Sequence, residues 1–533
     1  MNAIDRVVAY FAPQTGLRRA AARVGLDNVR IYDGAKGGRR ADGWRATNAS
    51  ANVEVKAALP RLRARSRDLV RNTWWGARIQ RVTVAHAVGT GIVPKPNTGD
   101  KTLDRKVLQA WKKWARHCDH EGQLNFDGLL GLAADCIVES GEVLGRMVSV
   151  KPADKPRGVV PLELQLLEPD HLDQSRDRIM MVQRPPQVAM NAEGVVVDQG
   201  IEYALDGKRR AYWIYPVHPG ARGLVMPSAS VRVPAADMLH AYRKDRIGQG
   251  RGVPWLAPVM LTGRDFADLQ EAIVVKARIE ACLAAFIKTN STARTLAQAQ
   301  QQDDGDGHPR RIENFSPGMV AYLEPGEELQ TVAPSGSLQF DGVLRNTLLA
   351  IAAGAGITYD QLTGDFTRAN FSSLKAGKID FRRIVEQFQH HTIVAMILEP
   401  LWDRWCELAI AAGILPDRAE GYPVDWIMPA NEPIDAMKEM QADILAVRSG
   451  RMTWAQFVLS WGIDPDQQLD EIEKWFTEID ARGIVLDTDP RKALASTKGG
   501  AGSEAQTEVN TNVDKGNAGA AGKSGGKGAA AGK

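Results

Sequence analysis

The strongest constraint on this chain is a pair of helical runs separated by a polar excursion. Arg264–Lys288 contains neither Gly nor Pro, and at about 1.5 Å per residue such a run makes a rod about 37 Å long. Phe266, Leu269, Ile273, Ala277, Ala284 and Ile287 recur along one side, flanked by the small residues Ala272, Ala281 and Ala285 that let a second helix come close. Lys276 and Glu280 stand one turn apart and can pair. A long helix with so narrow an apolar stripe packs in a bundle or ring rather than around a core of its own. Asn290–His308 then falls to Gln, Ala, Asp and Gly, too polar to bury and read as a flexible excursion. Met319–Leu323 and Leu329–Val332 flank a Pro325-Gly326 turn and read as a hairpin. The run Gln339–Ala353 brings the chain back, with Phe340, Leu344, Leu348, Ile351 and Ala355 on one stripe.

After this second run, Gly354 and Gly356 supply a helix stop. The stretch Thr363–Ser373 is too rich in Gly, Asp, Asn and Ser for an element interior. Ser372 or Ser373 then caps another helix, whose apolar face is Ile379, Ile384, Val385 and Phe388. Helix continues to Gly413, broken or kinked at Pro400, with Trp402, Trp405 and Leu408 as a second face.

The N-terminal half divides by pattern. Residues 1–50 scatter arginines and lysines among Gly, Ala and Asn, a partly ordered basic arm. Glu54–Ala87 is helical, and the face opposite its apolar stripe carries Arg61, Arg63, Arg65, Arg67 and Arg71. That face either touches nucleic acid or is solvated and meets acidic partners across a subunit contact; the second reading is favoured. Trp111–Trp114 opens a helix pair running to Glu139, with Phe126, Leu129, Leu130, Leu132, Ala133 and Ile137 as its stripe. From Val143 to His240 the pattern becomes strand-like: Leu162–Leu167, Gly200–Tyr203, Arg210–Ile214 and Ala236–His240, with Asp206-Gly207 as a hairpin turn. Toward the C-terminus, Tyr422–Pro429 is extended and Asp435–Ile479 helical with breaks at Gly450 and Gly462–Pro465. The last stretch, from about residue 495, is low-complexity Gly, Ala and Lys and is expected to be disordered.

Catalytic and metal chemistry find little support. Cys118, Cys136, Cys282 and Cys406 are far apart without CxxC spacing, so buried free thiols in a reducing cytoplasm are expected. His117, Cys118, Asp119 and His120 crowd together but lack a fourth ligand at a usual zinc spacing. His240 ends a strand outside any triad context and is read as a packing residue. Gly248–Pro254 imitates a phosphate loop without a Gly-Lys-Ser/Thr, and Gly522-Lys-Ser524 imitates the end of one within the tail. No cofactor and no metal are expected. No run of about eighteen apolar residues exists, and the N-terminus lacks a signal-peptide core, which argues against a membrane span and against secretion. A length of 533 residues implies two to four domains. The formal charge of +3 disfavours a tight, repressor-like grip on DNA, though not a passage through which DNA slides.

The string Leu344–Gly377 gives these fragments a common source. Gly356-Ile-Thr-Tyr359, Leu362-Thr-Gly-Asp365 and Ala369-Asn-Phe-Ser-Ser373, in this order and followed by a helix, resemble the signature of tailed-phage portal proteins of the lambda type, with Phe371 where Tyr is more usual. The resemblance extends to Tyr32–Ala35, Trp44, Arg67–Asn72, Val88–Ile92, Leu167–Asp170, Gly200–Tyr203, Ala211–Trp213, Met238–His240 and Gly248–Pro254. It implies a helix-rich α+β portal fold with an α/β wing, two stem helices, a small β-containing clip and a helical crown. The implied boundaries are 1–50 arm, 51–255 wing, 256–290 first stem helix, 291–337 clip, 338–358 second stem helix, 359–375 channel loop, 376–430 wing return, 431–494 crown and 495–533 tail.

By the same resemblance the chain is no enzyme. It is a ring homo-oligomer, a dodecamer by family, at one capsid vertex of the virion, assembled in the host cytoplasm. Its expected partners are double-stranded DNA passing through without sequence preference, the terminase large subunit, major capsid protein and scaffold, and a head–tail connector, with no membrane. The expected DNA-facing residues are Thr363, Gly364, Asp365, Thr367, Arg368, Asn370, Ser372 and Ser373. Asp365 and Asn370 are equally read as caps and turns of the chain itself. The expected motor- and connector-facing clip residues are Tyr322, Glu324, Pro325, Gly326 and Glu327. A terminase-like ATPase or nuclease lacks its phosphate loop here, and passive head–tail adaptors are far shorter.

Overall fold

The computed structural model describes residues 10–15, 46–176, 196–204, 206–221, 229–282, 286–289, 301–303, 309–311, 327–330, 340–367, 369–486, 489 and 491. Most of the N-terminal arm, residues 319–323 of the expected hairpin, Arg368, four of the five clip residues and the C-terminal tail lie outside these. The chain divides into two compact units, one formed by residues 1–87, 116–156 and 160–412, the other by 88–115, 157–159 and 413–533. The fold is helix-rich α+β, as the sequence implied.

In the first unit, α1 (Ala51–Asn72) and α2 (Trp74–Ala87) replace the single helix expected over Glu54–Ala87. Thr73 makes the break. Its backbone is extended, its hydroxyl donates to the Leu69 carbonyl (2.6 Å), and the Gly76 N–H donates back to that hydroxyl (3.2 Å). A local hydroxyl bond of this kind competes with the helix ladder.

Two antiparallel sheets follow. The first runs β3-β2-β8, with β2 (Glu142–Ser149) between β3 (Leu162–Leu167) and β8 (Met238–Tyr242). The second is a meander of β4 (Val196–Asp198), β5 (Ile201–Tyr203), β6 (Arg209–Ile214) and β7 (Val231–Pro234). The expected turn at Asp206-Gly207 joins β5 to β6, and Gly207 holds the positive φ (+84°) that glycine tolerates. Alternate residues of both sheets, among them Leu144, Met238, Ile201, Tyr212, Ile214 and Val233, close a shared apolar core. Cys118, Cys136 and Cys406 are free thiols, and burial pushes each up to about 12, which leaves them inert.

The arginine face of α1 is not wholly solvated, as the sequence reading had it. Arg63 turns inward and binds the fully buried carboxylate of Glu142, and Arg67 binds Asp170 (2.6 Å) and Glu168 (2.9 Å). Arg251, from the Gly248–Pro254 turn, donates through Nε to the same Glu142 oxygen (2.8 Å), while the Gly252 N–H (2.7 Å) and His240 Nε2 (2.9 Å) hold the other. That turn is thus a structural clasp, not a phosphate loop. Glu142 is desolvated, yet the guanidinium charges of Arg251 and Arg63 outweigh that and hold its carboxyl well below the usual range.

The Arg209 guanidinium lies 3.2 Å from His240 Nδ1 and can only donate. The ring's single proton therefore sits on Nε2, aimed at Glu142. Burial, with Arg209 and Arg251 nearby, lowers the His240 pKa to about 4. A histidine that is neutral when folded but protonatable at its ordinary pKa of 6.5 when unfolded gives the unfolded chain the greater proton uptake between about pH 6.5 and 4. Its stabilisation is complete above pH 6.5 and lost as pH falls through that window, at most about 3 kcal/mol for a buried group. Asp135, which burial raises to about 6, works in the opposite sense over the same window. The His240 contribution is therefore read as a difference: wild type should lose stability against His240→Gln as pH drops from 7 to 4.5, followed by chemical denaturation.

Helix α5 (Met260–Cys282) starts four residues earlier and ends six earlier than the rod expected at Arg264–Lys288. Phe286–Thr289 is instead strand β9, paired antiparallel with Glu327–Gln330. The aromatic and β-branched residues there make strand a ready alternative once a partner is available. Helix α6 (Phe340–Ala355) packs against α5. Gly354 lies inside α6 and not beyond it; a Cβ there would come within 2.4 Å of Val259 Cγ1. Further along, α8 (Phe371–Phe388) runs into a π-helix, Gln389–Leu398, and then α9 (Glu399–Ala411). The expected break at Pro400 is absent because the helix widens just before the proline, whose ring would otherwise meet the preceding turn. Buried Phe381, Val385 and Phe388 form the inner face of α8, whereas Ile379 and Ile384 are exposed, contrary to the predicted stripe. Leu132, on α4 (Phe126–Ser140), is likewise exposed.

In the second unit β1 (Val93–Pro96) pairs with β10 (Val424–Ile427). Helix α3 (Lys101–Ala115) begins ten residues before Trp111, so Trp111 and Trp114 end it rather than open it. Three helices, α10 (Ala436–Arg448), α11 (Trp454–Ser460) and α12 (Pro465–Arg482), are interrupted where Gly450 and Gly462 stand, as the sequence indicated.

Candidate functional site

The segment from α6 to α8 is fixed by a series of local devices. Gly356 (φ +77°) ends α6, with its N–H on the Ala353 carbonyl (3.3 Å). Thr358 caps the five-residue helix α7 (Tyr359–Thr363): the Gln361 N–H donates to its hydroxyl (3.2 Å) and the Gln361 side chain accepts from the Thr358 N–H (3.0 Å). Gly364 (φ +71°) closes α7 on the Asp360 carbonyl (2.8 Å). Asp365 Oδ1 accepts from both the backbone N–H (3.0 Å) and the hydroxyl (2.6 Å) of Thr367. Asn370 then caps α8, accepting from the Ser373 N–H (2.8 Å) while Ser373 Oγ accepts from the Asn370 N–H (3.1 Å).

Two expectations change here. The cap of α8 is Asn370, with Ser373 as its reciprocal partner, and not Ser372 or Ser373. Thr363, Ser372 and Ser373 belong to helices, so the loop proper is Gly364–Asn370. Arg78 of α2 anchors its base, donating to the Gln361 carbonyl (2.8 Å), and the Arg345 guanidinium lies 5.0 Å from the centre of the Tyr359 ring. Thr363, Asp365, Thr367, Asn370 and Ser373 are therefore engaged in shaping their own segment. Beside exposed Thr367, Asn370, Ser372 and Ser373, the loop region presents two aromatic rings outward: Phe366 is 60% exposed and Phe371 48%. Sequence reasoning passed over Phe366, because an apolar residue in a polar stretch gives no sign of which way it faces.

The remaining candidates resolve locally. His120 Nδ1 pairs with Glu163 (2.7 Å), and the Asp119 carboxylate accepts the N–H groups of Glu121, Gln123 and Leu124. Among the described residues Glu168, Asp170 and His218 are close enough to share an ion, but Arg67 already lies between the two carboxylates. Of the clip residues only Glu327 is described, as the first residue of the strand paired with β9. No helix of the described residues is long and apolar enough to cross a membrane.

A family model described as phage portal protein, lambda family, matches residues 37–389. The chain belongs to this family. As a lambda-family portal chain it is 24% identical, over 79% of its length and 81% of the relative's, to a probable portal protein of Halomonas phage phiHAP-1. It is 21% identical to portal protein B of Escherichia phage lambda, covering 83% of this chain and 89% of that one. Among solved structures it is similar to a chain from the neck of a native gene transfer agent particle computed with C12 symmetry, with TM-score 0.43, 15% identity, and 78% and 99% of the two chains covered. The family match includes α5 and also α6, the Gly364–Asn370 loop and α8, the last three holding the Leu344–Gly377 string from which the portal resemblance was first drawn.

Proposed function

We propose that copies of this portal chain close into a ring, twelve by family, whose axis is the passage for double-stranded DNA at one vertex of a phage capsid. The observation that carries this is on α5. Beyond Phe266 no described side chain of that helix is buried by its own chain, although it bears Leu269, Ile273, Val274 and Val275; Val274 is 48% exposed and Val275 44%. An apolar stripe left this uncovered needs a neighbour, and identical head-to-tail contacts supply one by closing a ring. In this reading α5 and α6 are the stem, residues 291–337 the clip that meets the terminase large subunit and later the head–tail connector, residues 51–255 and 376–430 the wing, and residues 431–494 the crown. Capsid protein and scaffold meet the outer face. The chain acts by position, with no reaction, metal or cofactor of its own.

The loop Gly364–Asn370 projects into the bore. Its capped ends hold the phenyl rings and hydroxyls in place, a surface along which a duplex slides without its sequence being read. Shortening Thr363–Asn370 should leave ring formation intact, seen as full-size particles in negative stain and light scattering. DNA packaging, or retention of packaged DNA, should fall to background. Normal packaging and retention by such rings would remove the loop from the mechanism.

A further inference from the structure

Helices α3 and α12 of the second unit meet in register. Lys101 Nζ lies 3.3 Å from Asp466, and Arg105, one turn on, reaches Asp470, one turn on along α12. Lys95 adds pairs to Asp466 (3.2 Å) and Asp464 (3.7 Å). The two helices are opposite in charge: α3 has five bases against Asp104, and α12 six acids against Lys474 and Arg482. The apolar anchorage of α12 is slight: Pro465 and Ile479 are its only buried residues, although α11 packs on it and Arg491 pairs with Asp480 near its end. One further step of the same register would bring Lys474 to Gln109; the row of pairs stops short of this, and the paired residues together with Leu108, Gln109 and Lys112 line a cleft of about 220 Å³.

We propose that Lys95, Lys101 and Arg105 form a covered docking face for the phosphate backbone of duplex DNA, occupied by the α12 carboxylates until DNA displaces them. The carboxylates stand where phosphates would, one per helical turn. Lys101 is 76% exposed and Arg105 60%, so each pair is held weakly and screened by salt. Duplex DNA presents a charge about every 1.7 Å of its axis and gains from counterion release, against one carboxylate per turn of about 5.4 Å on α12. In that competition the denser polyanion wins, and the contact reads no sequence. The covered face also fits the modest net charge, because the cations are neutralised within the chain until they are needed. The proposal rests on the reading that this chain meets duplex DNA, but on no residue of the Gly364–Asn370 loop.

The test uses the full chain and a short random-sequence duplex, followed by fluorescence anisotropy across a salt series. Asp466→Asn with Asp470→Asn should bind about tenfold more tightly at low salt and with a steeper salt dependence. Adding Lys101→Ala and Arg105→Ala should abolish the gain. In wild type, amide hydrogen exchange within Pro465–Arg482 should quicken when saturating duplex is added, a measurement independent of whether the variants fold. No gain in the Asn variant, a gain that survives loss of Lys101 and Arg105, or unchanged exchange in α12 would each overturn the proposal. Equal quickening with poly-glutamate would overturn the assignment to DNA in favour of an acidic protein. Shortening Thr363–Asn370 tests the passage reading alone, so the two failures are distinguishable.

Discussion

Glu142→Ala should destabilise the first unit by about 3–5 kcal/mol, the cost of stranding buried charges without their partner. Arg63 and Arg251 would both lose their carboxylate, and His240 Nε2 and the Gly252 N–H would lose their acceptor, all in a buried site. The expected result is a large fall in the unfolding midpoint, together with early proteolysis in β2 and β8. The triple replacement Arg63→Met, Glu142→Leu and Arg251→Met removes the charges together and should be less damaging than Glu142→Ala alone. If the single change proves as mild as the triple, the buried ions are not what holds α1, β2, β8 and the Gly248–Pro254 turn together.

Gly252→Ala should be comparably severe, about 3 kcal/mol or more, for a steric reason. A Cβ at this position would lie 2.1 Å from the Gly141 carbonyl oxygen and 2.6 Å from Tyr242 Cβ. Backbone has no rotamer by which to retreat, and moving residue 252 away would pull its N–H off Glu142. Thermal unfolding of Gly252→Ala beside Gly248→Ala makes the comparison, since Gly248 has open space around it and is constrained only by its positive φ. Equal losses at the two positions would mean that backbone conformation, not this close approach, sets the requirement.

Helices and strands with clear periodicity were legible from the sequence, and the glycine-marked turns still more so, because each rests on local geometry. Asp206-Gly207 turns a hairpin and Gly356 ends a helix for the same reason: both need φ values that side chains resist. The misplaced boundaries have a common cause. At Phe286–Thr289 the sequence suits helix or strand, and a pairing partner some forty residues away decides between them. At Thr73 and Asn370 one side-chain oxygen competes with the ladder, and at the second of these Ser372 and Ser373 looked equally able to do so. The buried cluster around Glu142 was invisible because Arg63, Glu142, His240 and Arg251 come from four separate stretches. Each alone looked like a surface charge, a strand end or a glycine turn. The loop was found from its motif, but which of its groups are already engaged by the chain, and which rings face outward, depends on backbone turns that composition does not encode.

The π winding at Gln389–Leu398 bears on how this molecule can change over generations. Each of its hydrogen bonds encloses one residue more than an α bond does, so the segment carries spare length within a continuous rod. A codon lost here can be absorbed by tightening that coil, leaving Val385 and Phe388 on one side of it and Trp402 and Trp405 on the other still turned toward the interior. The same loss within Phe371–Phe388 would swing every later side chain about 100° around the axis. Among descendants of this gene, single-residue gaps should gather in that coil and be scarce in the α-helices beside it.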